Sequence, residues 1–330
     1  MKFFKLMFSF MLIMSILISI SSNSWLGMWM GLEINLLSII PLMNNKINSS
    51  KSEASMKYFI VQALASTILL FSIILSMKEI FNYSSLSLMI NSSLLTKMGA
   101  APFHFWIPEV IEGLDWMNSF IILTIQKFAP SIILMYNISN NIFINFIIIM
   151  CMLIGGLMGF NQISLRKLMA YSSINHLGWM IAAMIFCKQI FITYISIYTI
   201  ISMSLISIFN LYNSFYIQQI IFNMNNLIMK MIFSFNMMSL GGLPPFLGFL
   251  PKWMVIYSLI MKNFNFTALI MIILTLITLF YYIRIIYSMM ILKNKNFNFN
   301  LTLNNNNSHL NILHLIPILG LIPFSLTFIL

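Results

Sequence analysis

Two apolar segments of this sequence carry a lysine beside a cluster of glycine and proline. The first segment runs from Leu94 to Trp106 and contains Lys97, and the second runs from Gly241 to Trp253 and contains Lys252. A charged side chain in hydrocarbon costs at least about 2.5 kcal/mol, so it is retained mainly where it faces a helix-bundle interior or a wet path. Interrupted helices in the two halves of a membrane protein indicate a transport site. The pattern predicts an ion-translocating membrane protein, of the kind that moves protons.

Three charged residues in the first half of the sequence are expected at one membrane depth. Glu33, Lys97 and Lys127 each fall near the middle of an apolar segment. A carboxylate near a lysine offsets part of the cost of burying each charge, and a change in its distance or charge would switch the lysine between holding and releasing a proton. The hypothesis is that Glu33 tunes Lys97 and that Lys97 passes protons to Lys127. The alternative is a static structural ion pair.

Two histidines are candidate proton relays. His176 lies in the predicted span 168–186, and its imidazole can accept a proton on one nitrogen while donating from the other. The alternative for His176 is a core histidine whose hydrogen bonds are satisfied. His104 follows Pro102 and is expected to line the first helix break.

The composition predicts an all-α polytopic membrane protein. The 330 residues are 60% hydrophobic and only 7% charged, whereas a soluble domain is about a quarter charged. The formal net charge of +11 does not indicate nucleic-acid binding, because the lysines are scattered in loops and at single intramembrane positions and form no basic face.

The apolar runs predict about eleven transmembrane helices in a single domain covering residues 1–330. The first half covers about 1–138, the second about 142–291, and a final helix about 311–329. Two spans, 85–110 and 229–258, are longer than a bilayer needs, and their internal glycine and proline residues predict a break in each. The other predicted spans are 3–20, 24–43, 56–78, 116–138, 142–161, 168–186, 191–217 and 265–291.

Basic residues in the connectors predict the orientation. One side of the membrane receives most of the connector lysines and arginines, which places it on the inner side together with the N-terminus. This side holds Lys2, Lys5, Lys46, Lys51, Arg166, Lys167, Lys293 and Lys295, whereas the opposite side holds Lys78, Lys188 and Lys262.

No segment has the pattern of a cofactor or metal site. Cys151 and Cys187 do not form a C-x-x-C pair, which argues against iron–sulfur and zinc ligation. The glycines from Gly155 to Gly159 lie in an apolar span without a preceding strand, so they are not a dinucleotide fingerprint. Any redox chemistry linked to this chain is therefore expected on other subunits.

Four stretches of the sequence closely resemble the antiporter-like, proton-translocating subunits of respiratory complex I (NADH:ubiquinone oxidoreductase), and among them the mitochondrial subunit 2 family. Together they are specific and spread over most of the chain. The stretches are Ser24 to Asn35, Lys97 to Glu109, Leu165 to Trp179 and Gly241 to Trp253.

The resemblance implies a fold of two inverted five-helix repeats, each with one broken helix. It implies a tunable pair of Glu33 and Lys97, a central relay at Lys127, and a second half-channel at Lys252. It places NADH, FMN, the iron–sulfur clusters and ubiquinone on other subunits of the complex. The implied partners are other membrane-arm subunits, including a neighbouring antiporter-like chain and the small chain 4L, and lipids such as cardiolipin. The implied location is the mitochondrial inner membrane, with the N-terminus in the matrix.

The sequence leaves two alternative functions open. One is a free-standing cation/proton antiporter subunit from the related multi-subunit family. The other is a structural scaffold of the membrane arm that no longer pumps, although apolar residues would cost less to bury than the retained charges.

Overall fold

The computed structural model describes residues 2–44, 48–78, 83–138, 141–224 and 226–291, together with residues 314, 317, 318 and 320. Within these ranges the regular elements are all α-helices, and the pairing of Ser164 with Tyr216 is an isolated bridge. The all-α class predicted from composition is confirmed. The predicted final span 311–329 lies outside the described residues except for those four positions.

The chain forms two compact units. The first consists of residues 1–154 and 173–188, and the second of residues 155–172 and 189–330. The helices that lie wholly in the first unit are α1 (Lys2–Ser21), α2 (Trp25–Met43), α3 (Ser49–Met77), α4 (Tyr83–Met98), α5 (Trp106–Gly113), α6 (Trp116–Leu123) and α7 (Ile125–Tyr136).

Two further helices each contribute to both units, and the rest belong to the second. The shared helices are α8 (Asn141–Phe160) and α9 (Leu165–Phe186). The described helices from residue 189 onward are α10 (Lys188–Leu211, whose first residue belongs to the first unit), α11 (Ile217–Asn223), α12 (Leu227–Gly241), α13 (Phe249–Met261) and α14 (Asn265–Ile291). Each unit therefore contains one of the two predicted breaks.

Seven helical segments among the described residues are long and apolar enough to cross a membrane, and one of them, Trp116–Tyr136, consists of α6 and α7. The two broken spans do not meet that criterion because each is divided into shorter helices, and α9 does not meet it because it is more polar. The predicted number of about eleven transmembrane helices is therefore not confirmed. The seven segments are Phe3–Ser21, Trp25–Met43, Ser49–Met77, Trp116–Tyr136, Ile142–Phe160, Lys188–Leu211 and Asn265–Ile291.

The first break begins where Gly99 ends α4. Gly99 has a φ of 73°, the left-handed conformation that favours glycine. Its N–H donates to Thr96 O at 3.1 Å, and the Ala100 N–H donates to Leu95 O at 2.9 Å, which is the Schellman pattern of a helix end. The chain then passes through Pro102 and resumes as α5 at Trp106.

The second break has the same construction. Gly242, with a φ of 76°, follows the last residue of α12 and donates its N–H to Ser239 O at 3.0 Å. The Leu243 N–H donates to Met238 O at 3.3 Å. The chain resumes as α13 at Phe249. The breaks predicted in 85–110 and 229–258 are therefore both confirmed, and both begin with the same glycine-dependent cap.

Small residues bring the first two helices close together. A methyl group at Gly31 would lie 2.7 Å from the Ser19 Cβ, so α2 packs on α1 with its backbone almost in contact. The Trp29 indole donates its N–H to Ser66 O at 3.1 Å, which attaches α2 to α3. Glu33 on α2 is thereby held in a helix with neighbours on both sides.

The predicted span 116–138 is interrupted at Thr124. Thr124 has φ −121° and ψ −71°, so the backbone leaves the helical region between α6 and α7. Its hydroxyl donates to Phe120 O at 2.7 Å, a side-chain bond that competes with the regular helix. The interruption lies immediately before Gln126 and Lys127, and the Lys127 N–H donates to Thr124 O at 3.0 Å.

Candidate functional site

Four lysines are buried in the part of the chain that the structure describes. Lys51, at the start of α3, is paired with Asp115, and the other three lie at positions that membrane-spanning sequence would ordinarily leave apolar. Lys97 is 6% exposed, Lys127 is 3% exposed and Lys252 is 6% exposed. Lysine is almost never fully buried unless it is paired. The surroundings of each lysine therefore determine what it can do.

Lys97 lies in the last turn of α4, directly before the first break. The C-terminal end of a helix carries partial negative charge from its free carbonyl groups, which favours a cation there. The Lys97 and Thr96 carbonyls accept hydrogen bonds from the Gln62 side chain (3.3 Å) and the Trp106 indole (3.0 Å). Neighbouring side chains thus supply hydrogen-bond partners for the carbonyl groups that the break leaves without helical partners, as a membrane interior requires.

Glu33 and Lys97 form no direct ion pair. The Glu33 side chain is half-buried on α2, and the Lys97 side chain is buried on α4. Both residues belong to the described part of the chain, and no salt bridge links them there. The tuning of Lys97 by Glu33 therefore stays a prediction.

Lys252 follows the second break, whereas Lys97 precedes the first one. Lys252 lies on α13, and its side chain runs back across Gly242, where an added methyl group would lie 2.8 Å from the Lys252 Cδ. The ammonium donates to Gly241 O at 2.7 Å. Lys252 therefore places its charge at the C-terminal end of α12, the same electrostatic position that Lys97 has on α4.

Lys127 faces α9 within the first unit, where its ammonium donates to Ser173 O at 3.3 Å. On α8, the Cys151 sulfur accepts the Ala101 N–H of the first break at 3.1 Å. Cys151 thus has a polar contact with the broken segment that follows Lys97.

The two candidate histidines are both buried. His104 lies inside the first break, and its Nδ1 is 3.2 Å from Pro102 O, which can only accept, so Nδ1 carries the hydrogen. His176 lies one turn after Ser173 on α9, and residues three apart share a helix face. His176 is therefore on the face that carries the carbonyl bound by Lys127.

A cluster of uncharged polar side chains joins three helices near Lys97. The Asn35 Nδ2 donates to Gln126 Oε1 at 2.9 Å, and the Gln126 Nε2 donates to Asn35 Oδ1 at 3.0 Å. The Tyr58 hydroxyl also donates to Gln126 Oε1, at 3.2 Å. This amide cluster, consisting of Asn35, Tyr58 and Gln126, connects α2, α3 and α7. Together with Gln62 and Lys97 it lines a small cavity.

No motif in the sequence identifies the amide cluster. Its members are polar residues in apolar segments, and Tyr58 and Gln62 have the i, i+4 spacing of one helix face. That spacing is a signal for a polar stripe on α3, but nothing in it identifies the partner residues on α2 and α7.

The architecture and the buried charges together define a class of protein. In its described part, the chain is a multi-pass helical membrane protein with two Gly- and Pro-broken helices and a buried lysine at each of these breaks. Broken helices of this kind form the substrate and ion sites of transporters. A family model described as NADH:quinone oxidoreductase/Mrp antiporter, transmembrane, matches residues 22–278. The chain belongs to this family.

Curated relatives confirm the predicted resemblance. A protein of Anopheles gambiae named NADH-ubiquinone oxidoreductase chain 2 is 54% identical over 87% of this chain and 86% of its own length. Proteins of the same name are 46% identical in Locusta migratoria, over 87% of this chain and 86% of the relative, and 40% identical in Mus musculus, over 82% and 81%.

Solved structures share the fold at low sequence identity. A chain of respiratory complex I from Thermus thermophilus superposes with a TM-score of 0.86 at 20% identity, covering 97% of this chain and 78% of that one. A chain of the Mrp complex from Dietzia sp. superposes with a TM-score of 0.72 at 18% identity, covering 83% and 58%. The antiporter-like fold class predicted from the sequence is therefore confirmed.

Proposed function

We propose that this chain is a core membrane-arm subunit of respiratory complex I that translocates protons across the mitochondrial inner membrane. The observation that carries the proposal is the burial of Lys97, Lys127 and Lys252, two of them at helix breaks. The relatives named NADH-ubiquinone oxidoreductase chain 2 support the assignment to the complex.

In this proposal each buried lysine alternates between an ammonium and a neutral amine. The lysine receives a proton on Nζ from one side and loses it to the next acceptor on the other side, with no net change over a cycle. Glu33 tunes Lys97, Lys127 is the central relay, and Lys252 belongs to the second half of the path. His176 and His104 are the candidate relay groups, because imidazole can take up and release a proton at different nitrogens.

The driving reaction takes place on other subunits. NADH oxidation and ubiquinone reduction, with FMN and the iron–sulfur clusters, belong to those subunits, and the isolated chain catalyses no reaction. The partners in the membrane arm are a neighbouring antiporter-like chain and the small chain 4L, with cardiolipin among the surrounding lipids. The inverted repeats, about 1–138 and 142–291, and an N-terminus on the matrix side are part of the same proposal.

The fold is compatible with a second function, a cation/proton antiporter that works without a redox partner, because the Mrp complex shares it. The two functions differ in what drives transport. The redox-coupled function requires NADH or quinol turnover, whereas the antiporter function requires a second cation gradient.

Replacement of Lys127 by methionine tests the proposal. The variant is introduced at the equivalent position in a genetically tractable complex I, and NADH-driven quinone reduction and proton pumping are measured together in sealed vesicles. Met keeps the length of the side chain without a proton site, so pumping is expected to be lost. The control is Lys262→Met, at an exposed position after α13. Normal pumping in Lys127→Met complexes assembled at wild-type levels would overturn the proposal.

A further inference from the structure

The amide cluster and Lys97 line a small cavity inside the first unit. Its lining consists of Leu32, Asn35, Leu36, Tyr58, Gln62, Lys97, Gln126 and Pro130, and its free space accommodates about one water-sized sphere. Of these, Asn35, Tyr58, Gln62, Lys97 and Gln126 are polar, and all five are buried. A buried site with room for a water and several polar partners is the kind that proteins fill with one.

The hydrogen bonds of the amide cluster leave capacity for a further partner. A primary amide has two N–H donors, and the reciprocal pair uses one from Asn35 and one from Gln126. The Tyr58 hydroxyl donates to Gln126 and can still accept a hydrogen bond. Pro130 lacks an N–H, so it cannot donate to the Gln126 backbone carbonyl four residues earlier. Donors and acceptors are thus both available around the cavity.

The cluster also joins the helices that carry the charged residues of the proposed path. Asn35 is two residues after Glu33 on α2, and Gln126 immediately precedes Lys127 on α7. The reciprocal amide pair fixes the separation of these two helices at the level of Lys97. Gln62, whose side chain donates to Lys97 O, attaches the end of α4 to the same cavity.

We propose that Asn35, Tyr58 and Gln126 are positioning residues that hold a water molecule against Lys97, and that Lys97 exchanges its proton through this water. The inference rests on the proposed function and adds the residues that prepare the transfer. In the step, an N–H bond of the Lys97 ammonium breaks as an O–H bond forms on the water. The water passes one of its own protons on to the next acceptor of the path. Lys97 ends as a neutral amine, the acceptor carries the proton, and the water is unchanged.

Two variants test the cluster without touching a proton-carrying residue. Tyr58→Phe removes only the hydroxyl and keeps the ring that packs edge-on against Trp106 at 5.6 Å. Gln126→Leu removes the amide at similar size. The matched control is Asn137→Leu, because Asn137 is also a buried amide, bonded to Asn91 and Ser87, and lies outside the cavity lining.

Proton pumping and quinone reduction are measured in assembled complex I carrying each variant. The expected result is that Gln126→Leu slows pumping by up to about tenfold, the largest factor that one neutral hydrogen bond contributes, and that Asn137→Leu does not. The exchanged pair Asn35→Gln with Gln126→Asn should restore most of the rate, because it rebuilds a reciprocal amide pair. Normal pumping in both Tyr58→Phe and Gln126→Leu, or an equal loss in Asn137→Leu, would overturn the inference.

A structural measurement remains decisive even if the leucine variants do not assemble. An electron-microscopy map of the unmodified complex, at a resolution that shows ordered water, should contain a water within hydrogen-bond distance of Lys97 Nζ and of Tyr58 or Gln126. A dry cavity would contradict the inference. The inference and the proposed function can fail separately. If the proposed function is wrong, Lys97→Met and Lys127→Met complexes pump normally. If only the water site is wrong, these two variants still lose pumping.

Discussion

No salt bridge joins Glu33 on α2 to Lys97 on α4, both of which lie in the described part of the chain. A closed ion pair would hold the proton on the lysine. Without one, a small movement of α2 or α4 can change the effect of the carboxylate on the lysine, because Coulomb energy varies with the inverse of distance. This arrangement suits a residue that must both hold and release a proton.

The first prediction concerns this carboxylate. Glu33→Gln keeps the shape of the side chain and removes its charge, so Lys97 loses its electrostatic partner, and pumping should fall about tenfold while the complex still assembles. The measurement is the pumping rate in sealed vesicles. The control is Glu53→Gln, since Glu53 pairs with Lys57 on an exposed part of α3. Full activity and stability in Glu33→Gln complexes would remove the tuning role.

The second prediction separates charge from proton release at Lys252. A guanidinium keeps its proton at all physiological pH values, so Lys252→Arg retains a cation near the end of α12 but cannot release a proton. Pumping should be lost in Lys252→Arg as it is in Lys252→Met. The measurement is pumping per quinone reduced in assembled complexes. If the arginine variant pumps normally, Lys252 is a fixed charge that stabilises the end of α12.

At the scale of the helix, both breaks depend on a left-handed glycine at the same point of the cap. A side chain in this conformation costs roughly 1–2 kcal/mol from backbone strain alone. At Gly99 an added methyl group would also lie 1.9 Å from the Ile107 Cδ1. The break therefore determines how α5 returns against the end of α4.

The third prediction follows from that geometry. Gly99→Ala should destabilise the subunit by about 2 kcal/mol or more and reduce assembly of the complex. Gly156→Ala is the matched control, because a methyl group there would meet its nearest neighbour at an ordinary 3.6 Å. Thermal unfolding and the amount of assembled complex measure the difference. Equal stability of the two variants would contradict the account of the first break.

Particular elements show how far the sequence determines the structure. Both breaks were predictable because glycine and proline act locally, on the backbone of their own turn. The interruption at Thr124 was missed, since threonine is tolerated in helices and its bond to Phe120 has no distinct sequence pattern. The Asn35–Gln126 pair was also missed, because these residues are 91 positions apart and nothing in either local sequence specifies the other.

At the scale of the whole molecule, the distribution of basic connectors predicts which side of the membrane each connector faces. Lys51, at the start of α3, is paired with Asp115, which precedes α6. The connector before α3, which is expected on the inner side, is therefore joined to the connector before α6 within the first unit. This contact agrees with a location of both connectors on the same side of the membrane. It does not identify that side, so the orientation of the N-terminus stays a prediction of the positive-inside rule.

The fourth prediction tests that orientation. Single cysteines at two exposed positions, Ser52→Cys and Asn265→Cys, are labelled with a membrane-impermeant thiol reagent in vesicles of known sidedness, with Cys187 replaced by alanine. Ser52→Cys should react only from the matrix-like side, and Asn265→Cys only from the opposite side. Labelling of both positions from the same side would contradict the topology.

The most direct test of a proton-carrying role for the buried lysines is a measurement on complex I with Lys97→Met, assembled to normal levels. NADH-driven quinone reduction and proton pumping are recorded together in sealed vesicles, with Lys262→Met as the control. We expect Lys97→Met to abolish or severely reduce pumping, with or without slower quinone reduction, while the control behaves normally. Wild-type rates of both reactions in Lys97→Met would show that the buried lysine is structural, and the scaffold function would then replace proton translocation.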